Sequence, residues 1–337
     1  MEKLITIAGG GLAGLACGLG LRRAGLPVEL HEAGAYPRHR VCGEFLCGVS
    51  PQALAGLGLA ECLEDGVPLR TMAWFHRDRR VLQKPLPHAA VGISRHRLDQ
   101  RMAHELIASG GTVRTHSRVP LESREGLLFC TGRPPVPGGW VGVKAHFKDL
   151  PLVADLEMHM GRNAYIGLSR IEDSQVNVCG LFSGNSLKNL PRQELWNHIA
   201  KAARLDRLHA RLGAATIVPD SISAIAAFRP GYPRHPFAAA IGDAAAAIPP
   251  FTGNGMSMAL EGGRLAAESL APYGRGGSSW SSALADLHSR MEQNFSRRMR
   301  LALVMHPFLL HPLGQLALAW TARTGLLPWK SAFLHTR

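Results

Sequence analysis

The six cysteines, at positions 17, 42, 47, 62, 130 and 179, form no CxxC pair, and the sixteen histidines form no HxH or HExxH pattern. The first absence speaks against a disulfide framework or a zinc site, the second against a metal centre of any kind, and reduced thiols in a cytoplasm are the expectation. A GxSxG nucleophile elbow is missing, which removes serine hydrolysis. Aromatic patterns that read RNA are missing as well, so nucleic acid is not expected as a partner. The apolar start MEKLITIAGGGLAGLACG has no small-residue cleavage site and reads as part of the fold, not as a signal peptide. There is no internal repeat and no long low-complexity segment.

Acidic residues are scarce: 25 Asp and Glu stand against 38 Lys and Arg, a formal net charge of +13. That balance attracts anions, whether a phosphorylated cofactor or substrate, an acidic carrier protein or a membrane surface. With 46% hydrophobic residues in 337, the chain has enough apolar side chain to offset its ordering entropy, and its length suits two domains or one core with a second layer.

Leu4 to Ala8 is a short apolar run rich in β-branched residues, followed by a glycine cluster and then by helical spacing from Leu12 to Ala24. Gly25 stops that helix, and Val28 to Glu32 reads as a second parallel strand, completing a βαβ unit. The cluster is a GxGxxG on Gly9, Gly11 and Gly14. The first glycine allows the tight turn, the second lets backbone approach a pyrophosphate, and the third permits close helix–strand packing, while the helix start offers N–H groups to phosphate. Glu32 follows Gly14 by 18 residues, where a carboxylate can accept from both ribose hydroxyls of an adenosine and would repel a 2′-phosphate. Strand, turn, helix and terminal acid together point to a dinucleotide.

Further on, Leu69 to Ser94 reads as short strand-like pieces broken by Pro85 and Pro87. Leu98 to Ser109 reads as a helix and Thr112 to His116 as a strand. Leu152–Met160, Ala164–Arg170 and Gln175–Phe182 read as antiparallel strands with a hairpin turn at Glu172-Asp173-Ser174. Helix is expected over Gln193–Leu212 and strand over Ile222–Phe228. A second glycine-rich stretch, Ile241-Gly242-Asp243 through Pro249-Pro250 to Gly253-Asn254-Gly255, then opens a helix from Met256 to Ala271. A second anion- or carbonyl-facing helix start late in the chain suits a cofactor with a long middle section and a second polar ring, which describes FAD better than NAD.

Taken together, GGGLAGLACGLGLRRAGLPVELHE and GDAAAAIPPFTGNGMSMALEGG resemble the FAD-dependent oxidoreductases of the geranylgeranyl reductase and aromatic-hydroxylase type, over most of the chain. The resemblance implies that Asp243, beside Gly242, binds the ribityl chain and that Gly253 and Gly255 cradle the flavin ring, with Pro250 and Asn254 beside them. It implies that Arg95, in Ser94-Arg95-His-Arg-Leu98-Asp99, reaches the FAD phosphates. Arg40-Val41-Cys42-Gly43-Glu44 resembles the segment that runs past the flavin in geranylgeranyl reductases, and Leu128-Phe-Cys-Thr-Gly132-Arg133 the strand end that closes near the adenosine. Leu12, Ala13, Ala33 and Val119 complete the cofactor contacts expected on this footing. Cys42 and Tyr165 are the expected catalytic side chains, although FAD itself would carry the chemistry.

Two departures matter. Hydroxylases of this type carry an Asp-Gly motif serving FAD and the nicotinamide donor, whereas Gly132 to Trp140 contains no acid. Only Tyr165 remains of the tyrosine-tryptophan-phenylalanine-proline pattern of geranylgeranyl reductases. The implied fold is α/β: a Rossmann-type FAD domain over 1–68, 95–145 and 229–300, interrupted by an antiparallel β-sheet substrate domain over 69–94 and 146–228, with a helical segment over 301–337. The implied activity is reduction of a C=C bond in a hydrophobic small molecule or carrier-bound chain, with NAD(P)H as external reductant. The alternatives are hydroxylation of an aromatic or polyketide-type substrate, and FAD binding without turnover. Residues 301–322 carry no formal charge, but Pro307, Pro312, Gly314 and Gln315 argue for broken helices packed on the core, with peripheral membrane contact as the other reading.

Overall fold

In the computed structural model, residues 1–49, 51–133, 136, 140–182, 195–234 and 237–327 are described. The chain starts with strand β1 (Ile5–Ala8), helix α1 (Leu12–Arg23) and strand β2 (Val28–His31), the βαβ unit expected from its spacing. Glu32 lies one residue beyond β2. Gly9 has φ +113°, a conformation that L side chains avoid, and a Cβ there would lie 2.2 Å from the Cys130 carbonyl oxygen. Strand β3 (Phe45–Leu46) and helix α2 (Pro51–Leu57) lead to strands β4 (Val67–His76) and β5 (Arg79–Gly92). Pro85 and Pro87 lie inside β5, so two long strands replace the short pieces expected from the prolines. A register shift after Leu69 accommodates them.

Helix α3 (Arg95–Ala108) begins three residues earlier than its apolar spacing suggests, because the Ser94 hydroxyl caps it by accepting from the Arg97 N–H at 3.1 Å. Strands β6 (Thr112–Arg114) and β7 (Leu127–Phe129) complete a four-stranded parallel sheet ordered β6-β2-β1-β7. Ala240 extends it: the Phe129 N–H donates to Ala239 and the Ile241 N–H donates back to Phe129, so the second glycine-rich stretch leaves the same sheet as the first.

Strands β8 (Trp140–Lys148), β9 (Leu156–Gly161), β10 (Ala164–Arg170) and β11 (Val176–Phe182) follow, then helices α4 (Leu195–Ala202) and α5 (Asp206–Ala214) and strand β12 (Thr216–Phe228). They form an eight-stranded sheet ordered β12-β8-β11-β10-β9-β4-β5-β3, antiparallel except where β4 meets β9. The turn between β10 and β11 falls where expected, with Asp173 and Ser174 at φ +58° and +56°. The single helix expected over 193–212 is two, divided at Arg204 (φ +56°); 193 and 194 lie outside the described residues. A boundary between 145 and 146 runs through β8, every residue of which belongs to the large sheet.

The period of two sorts this sheet into faces. Val143, Ala145, Phe147, Ile166, Leu168, Val176 and Val178 pack with Trp196, Ile199 and Leu208 of α4 and α5. The opposite face carries Lys144 and His146, Tyr165, Gly167 and Ser169, Asn177 and Cys179.

Helix α6 (Gly255–Gly274) packs along α1 through small residues: a Cβ on Gly263 would lie 2.6 Å from Ala16 Cβ, and one on Gly20 2.6 Å from Ala267 Cβ. Helix α7 (Trp280–Leu310) and helix α8 (Pro312–Arg323) meet at 104°. Among the described residues, no single helix is long and apolar enough to cross a membrane.

Candidate functional site

The two glycine-rich turns come together through the α1–α6 packing, and a Cβ on Gly242 would lie 2.9 Å from Ala13 Cβ. Both helices that they open start without a side-chain cap: Gly11 precedes Leu12 in α1, and Asn254 precedes Gly255 in α6. Their first N–H groups are therefore available to a ligand. Gly11 faces space, its nearest neighbour being Arg95 Nη2 at 3.8 Å from a built Cβ, and around Gly132 and Gly255 nothing lies within 4 Å. The Asn254 side chain is fully buried, and neither its amide nitrogen nor its oxygen has a hydrogen-bond partner. Backbone room, uncapped helix starts and an unsatisfied buried amide fit a phosphate-bearing cofactor with a polar ring.

Glu32 is buried and accepts from the Gly10 N–H at 2.9 Å and the Gly34 N–H at 3.0 Å, while Arg40 Nη2 pairs with it at 3.1 Å. Burial pushes its carboxyl up, but Arg40 and the two N–H groups outweigh this and hold it below the ordinary value. A carboxylate has about four acceptor positions. Three are in use, so Glu32 braces the turn whether or not a ligand is bound. Arg95 lies near Gly11 and is forked onto Asp99, with Nε at 2.6 Å and Nη2 at 2.8 Å; Arg40 shares the same carboxylate at 3.1 Å. Ala33 is exposed beside Glu32. Val119 packs on the cluster of Ala8, Phe129 and Ala240 at the sheet edge.

A cavity of about 240 Å³ begins at the second turn and runs under the large sheet. Asp243, Arg133, Pro250 and Thr252 line one end, Cys42, Gly43, Tyr165 and Cys179 the middle, and Trp74, Met72, Leu86 and Leu318 the far end. Cys42, Tyr165 and Asp243, distant in sequence, thus line one cavity. Asp243 is exposed and lines the cavity, but protein packs closely around its carboxyl; that partial desolvation raises it, and the Arg133 and Arg95 cations offset part of the rise. Burial likewise pushes the Cys42 thiol up, so it is a neutral, weakly acidic group. Gly253, at φ +67°, lies under the Phe45 ring, and a Cβ there would come within 2.0 Å of it.

The segment from Arg40 to Glu44 is fastened across the sheet face. Asn177 Nδ2 donates to the Cys42 carbonyl at 2.9 Å, and the Glu44 carboxylate meets Lys144 Nζ at 3.0 Å and His146 Nε2 at 2.5 Å. Glu44 also accepts from the Arg95 N–H at 3.0 Å. Burial pushes Glu44 up, but Lys144 and His146 bring it below the ordinary carboxylate value. Lys144 Nζ also meets His39 Nδ1 at 3.0 Å, and His39 stacks on His96 at 4.3 Å. Burial and Lys144 press His39 down to about 3.

Sequence reasoning placed Glu44, Asp99 and Arg133 inside its motifs without giving them a role, and it gave none to Lys144, His146 or His306. The last stacks on Phe251 at 6.1 Å, has both ring nitrogens buried without partners, and is pressed by burial to about 4. Among the described residues, no group of three His, Cys, Asp or Glu side chains converges as a metal site.

No family model and no curated protein matches the sequence. Solved structures match along nearly its whole length. The chain is similar to the flavin-dependent brominase Bmp2, at 17% identity over 99% of this chain and 93% of that one, with a TM-score of 0.77. PqsL from P. aeruginosa, in complex with 2-aminobenzoylacetate, matches at 14% identity over 93% and 98% with a TM-score of 0.74. Klebsiella pneumoniae HpxO, complexed with FAD and uric acid, matches at 16% over 98% and 97% with a TM-score of 0.71. At these identities the likeness is one of fold, a fold shared with a flavin-dependent brominase and with a protein complexed with FAD.

Proposed function

We propose that this protein is an FAD-dependent oxidoreductase acting on a small apolar molecule, with oxygen-dependent chemistry of the monooxygenase type as its reaction. The observation that carries the reading is the cavity that starts at Asp243, next to the uncapped start of α6, and continues into apolar walls under the large sheet. A cofactor laid along both glycine turns would deliver its ring to that opening. Gly11 and Arg95 would hold the pyrophosphate, Glu32 a ribose hydroxyl, and Asp243, Asn254 and the α6 N–H groups the ribityl chain and ring.

FAD supplies two-electron chemistry that the side chains present here do not. The chain's own residues position and exclude. Met72, Trp74, Leu86 and Leu318 keep the far end of the cavity apolar, and a neutral Cys42 and Tyr165 shape its middle. The cavity's lining is mainly apolar, which suits an apolar substrate. Support for oxygen chemistry comes from the neighbours: a flavin-dependent brominase, and HpxO with FAD and uric acid bound.

Reduction of a C=C bond is the second reading, and one observation favours it: the Cys42–Gly43 segment does lie on the cavity wall, fastened by Asn177. NAD(P)H is the proposed external reductant in both. The test is flavin analysis of the purified protein, followed by substrate turnover with and without oxygen. FAD with turnover and oxygen uptake in equal amounts is expected. Turnover that persists anaerobically would replace the first reading with the second, and failure to bind FAD would overturn both.

A further inference from the structure

The end of α7 and the outer face of α8 expose an apolar surface with a cationic border. Along one side of α7, at steps of three and four residues, lie Arg297, Arg300, Val304 and Phe308, all exposed. The stripe is charged first and apolar after. In α8, beside the exposed Pro312 at its start, Leu313, Leu316, Ala317 and Trp320 lie exposed on one helical face, and Arg323 is exposed at the helix end. Leu313 is 69% exposed, Trp320 60% and Phe308 59%. Single exposed apolar residues are ordinary, but uncharged exposed stripes on two successive helices are not.

The inner face of α8 does the opposite. Gly314, Gln315, Ala319 and Ala322 are buried, and Gln315 Nε2 donates to the Gly161 carbonyl at 2.9 Å and the Leu309 carbonyl at 2.8 Å. Those buried bonds tie α8 to the large sheet and to α7. A membrane-spanning arrangement of the two helices would break them, whereas a surface lying in an interface leaves them intact. Leu318, on the inner side of the same helix, lines the cavity.

We propose that the α7–α8 elbow docks this protein on an anionic lipid bilayer, with Phe308, Leu313, Leu316 and Trp320 in the acyl boundary and Arg297, Arg300 and Arg323 at the headgroups. Charge selects this partner. Neither Arg297 nor Arg300 is ion-paired among the described residues, the apolar face between the cations carries no charge, and the chain's net charge is +13. The docking itself does not depend on the redox reading. If both hold, α8 separates the bilayer from the cavity by one helix thickness, so an apolar substrate dissolved in lipid has its shortest path there.

Flotation of the full chain with phosphatidylcholine vesicles, and with vesicles also containing phosphatidylserine, tests the proposal. Binding to the second and weak binding to the first are expected, with a blue shift of tryptophan emission that Trp320→Phe loses. Each of Arg297→Gln and Arg300→Gln should lower partitioning about fivefold, the equivalent of about 1 kcal/mol per cation near an anionic surface. Leu316→Asp should abolish binding while the thermal midpoint, a check on folding, stays near that of the parent. Equal binding to both vesicles would overturn the anionic assignment. Absence of flotation would overturn docking altogether, and if sedimentation velocity then showed a dimer that Leu316→Asp dissociates, the face would belong to a second copy of the chain.

Discussion

Lys144→Met removes the ammonium from a carboxylate that has no water to replace it. The Glu44 and Lys144 side chains are both 0% exposed and 3.0 Å apart, so solvent screening does not soften the loss. Removing one partner of such a pair costs about 3–5 kcal/mol. The sign of the pH dependence should change as well. In the parent protein Glu44 is held below its ordinary value, so its contribution is complete above the unfolded carboxyl pKa of about 4.3 and is lost as pH falls through the lower folded value. Without Lys144, burial dominates and the site takes up a proton, on Glu44 or His39. The folded variant then holds more protons than the unfolded chain, and its stability is full in acid and lost as pH rises. The penalty relative to the parent should therefore grow with pH, by at most about 1.4 kcal/mol per pH unit. Urea unfolding at about pH 5 and about pH 8, on either side of the ordinary histidine pKa, measures it. Adding Glu44→Gln should recover most of the loss, because the orphaned charge is gone. A penalty below about 1 kcal/mol that does not vary with pH would refute the argument that this pair is charged and that Lys144 is what keeps it so.

Asp243→Ala and Glu32→Ala should separate ligand binding from folding. Asp243→Ala weakens FAD binding with little effect on the melting of the apoprotein, whereas Glu32→Ala also lowers apoprotein stability, since the Gly10 and Gly34 N–H groups each lose a buried acceptor at about 1–3 kcal/mol. FAD titration and thermal unfolding of the apoprotein check this, and the reverse ordering would count against both assignments. Cys42→Ala should leave FAD content normal and alter turnover rate or product, with Cys42→Ser retaining part of the activity. Parent-like rate and product in both variants would remove Cys42 from the chemistry.

What the sequence could show is what depends on neighbours along the chain. The βαβ unit, the hairpin at Asp173-Ser174 and the cavity-facing alternation around Tyr165 all follow from periods and turn residues a few positions long. The Glu44–Lys144 and Glu44–His146 pairs join residues 100 and 102 apart, and the Arg40–Asp99 pair residues 59 apart; nothing local marks these side chains as buried. Lys144 even occupies a strand position where the alternation alone reads as solvent-facing. The glycines of the first turn show the same division within six residues. All three are legible as a motif, but only the structure says what each one excludes. A Cβ on Gly14 would lie 2.1 Å from the Gly9 carbonyl oxygen, a backbone atom that cannot yield, so Gly14→Ala should destabilise the apoprotein. A Cβ on Gly11 meets nothing nearer than Arg95 Nη2 at 3.8 Å, and the backbone there is extended, so Gly11→Ala should melt like the parent. Its cost should appear only when FAD is added, because the methyl group then stands where the pyrophosphate must come against the backbone. Thermal unfolding of both variants with and without FAD separates the two effects. If Gly11→Ala binds FAD as tightly as the parent, the cofactor does not lie across this turn, and the site reading built on it fails even though the fold stands.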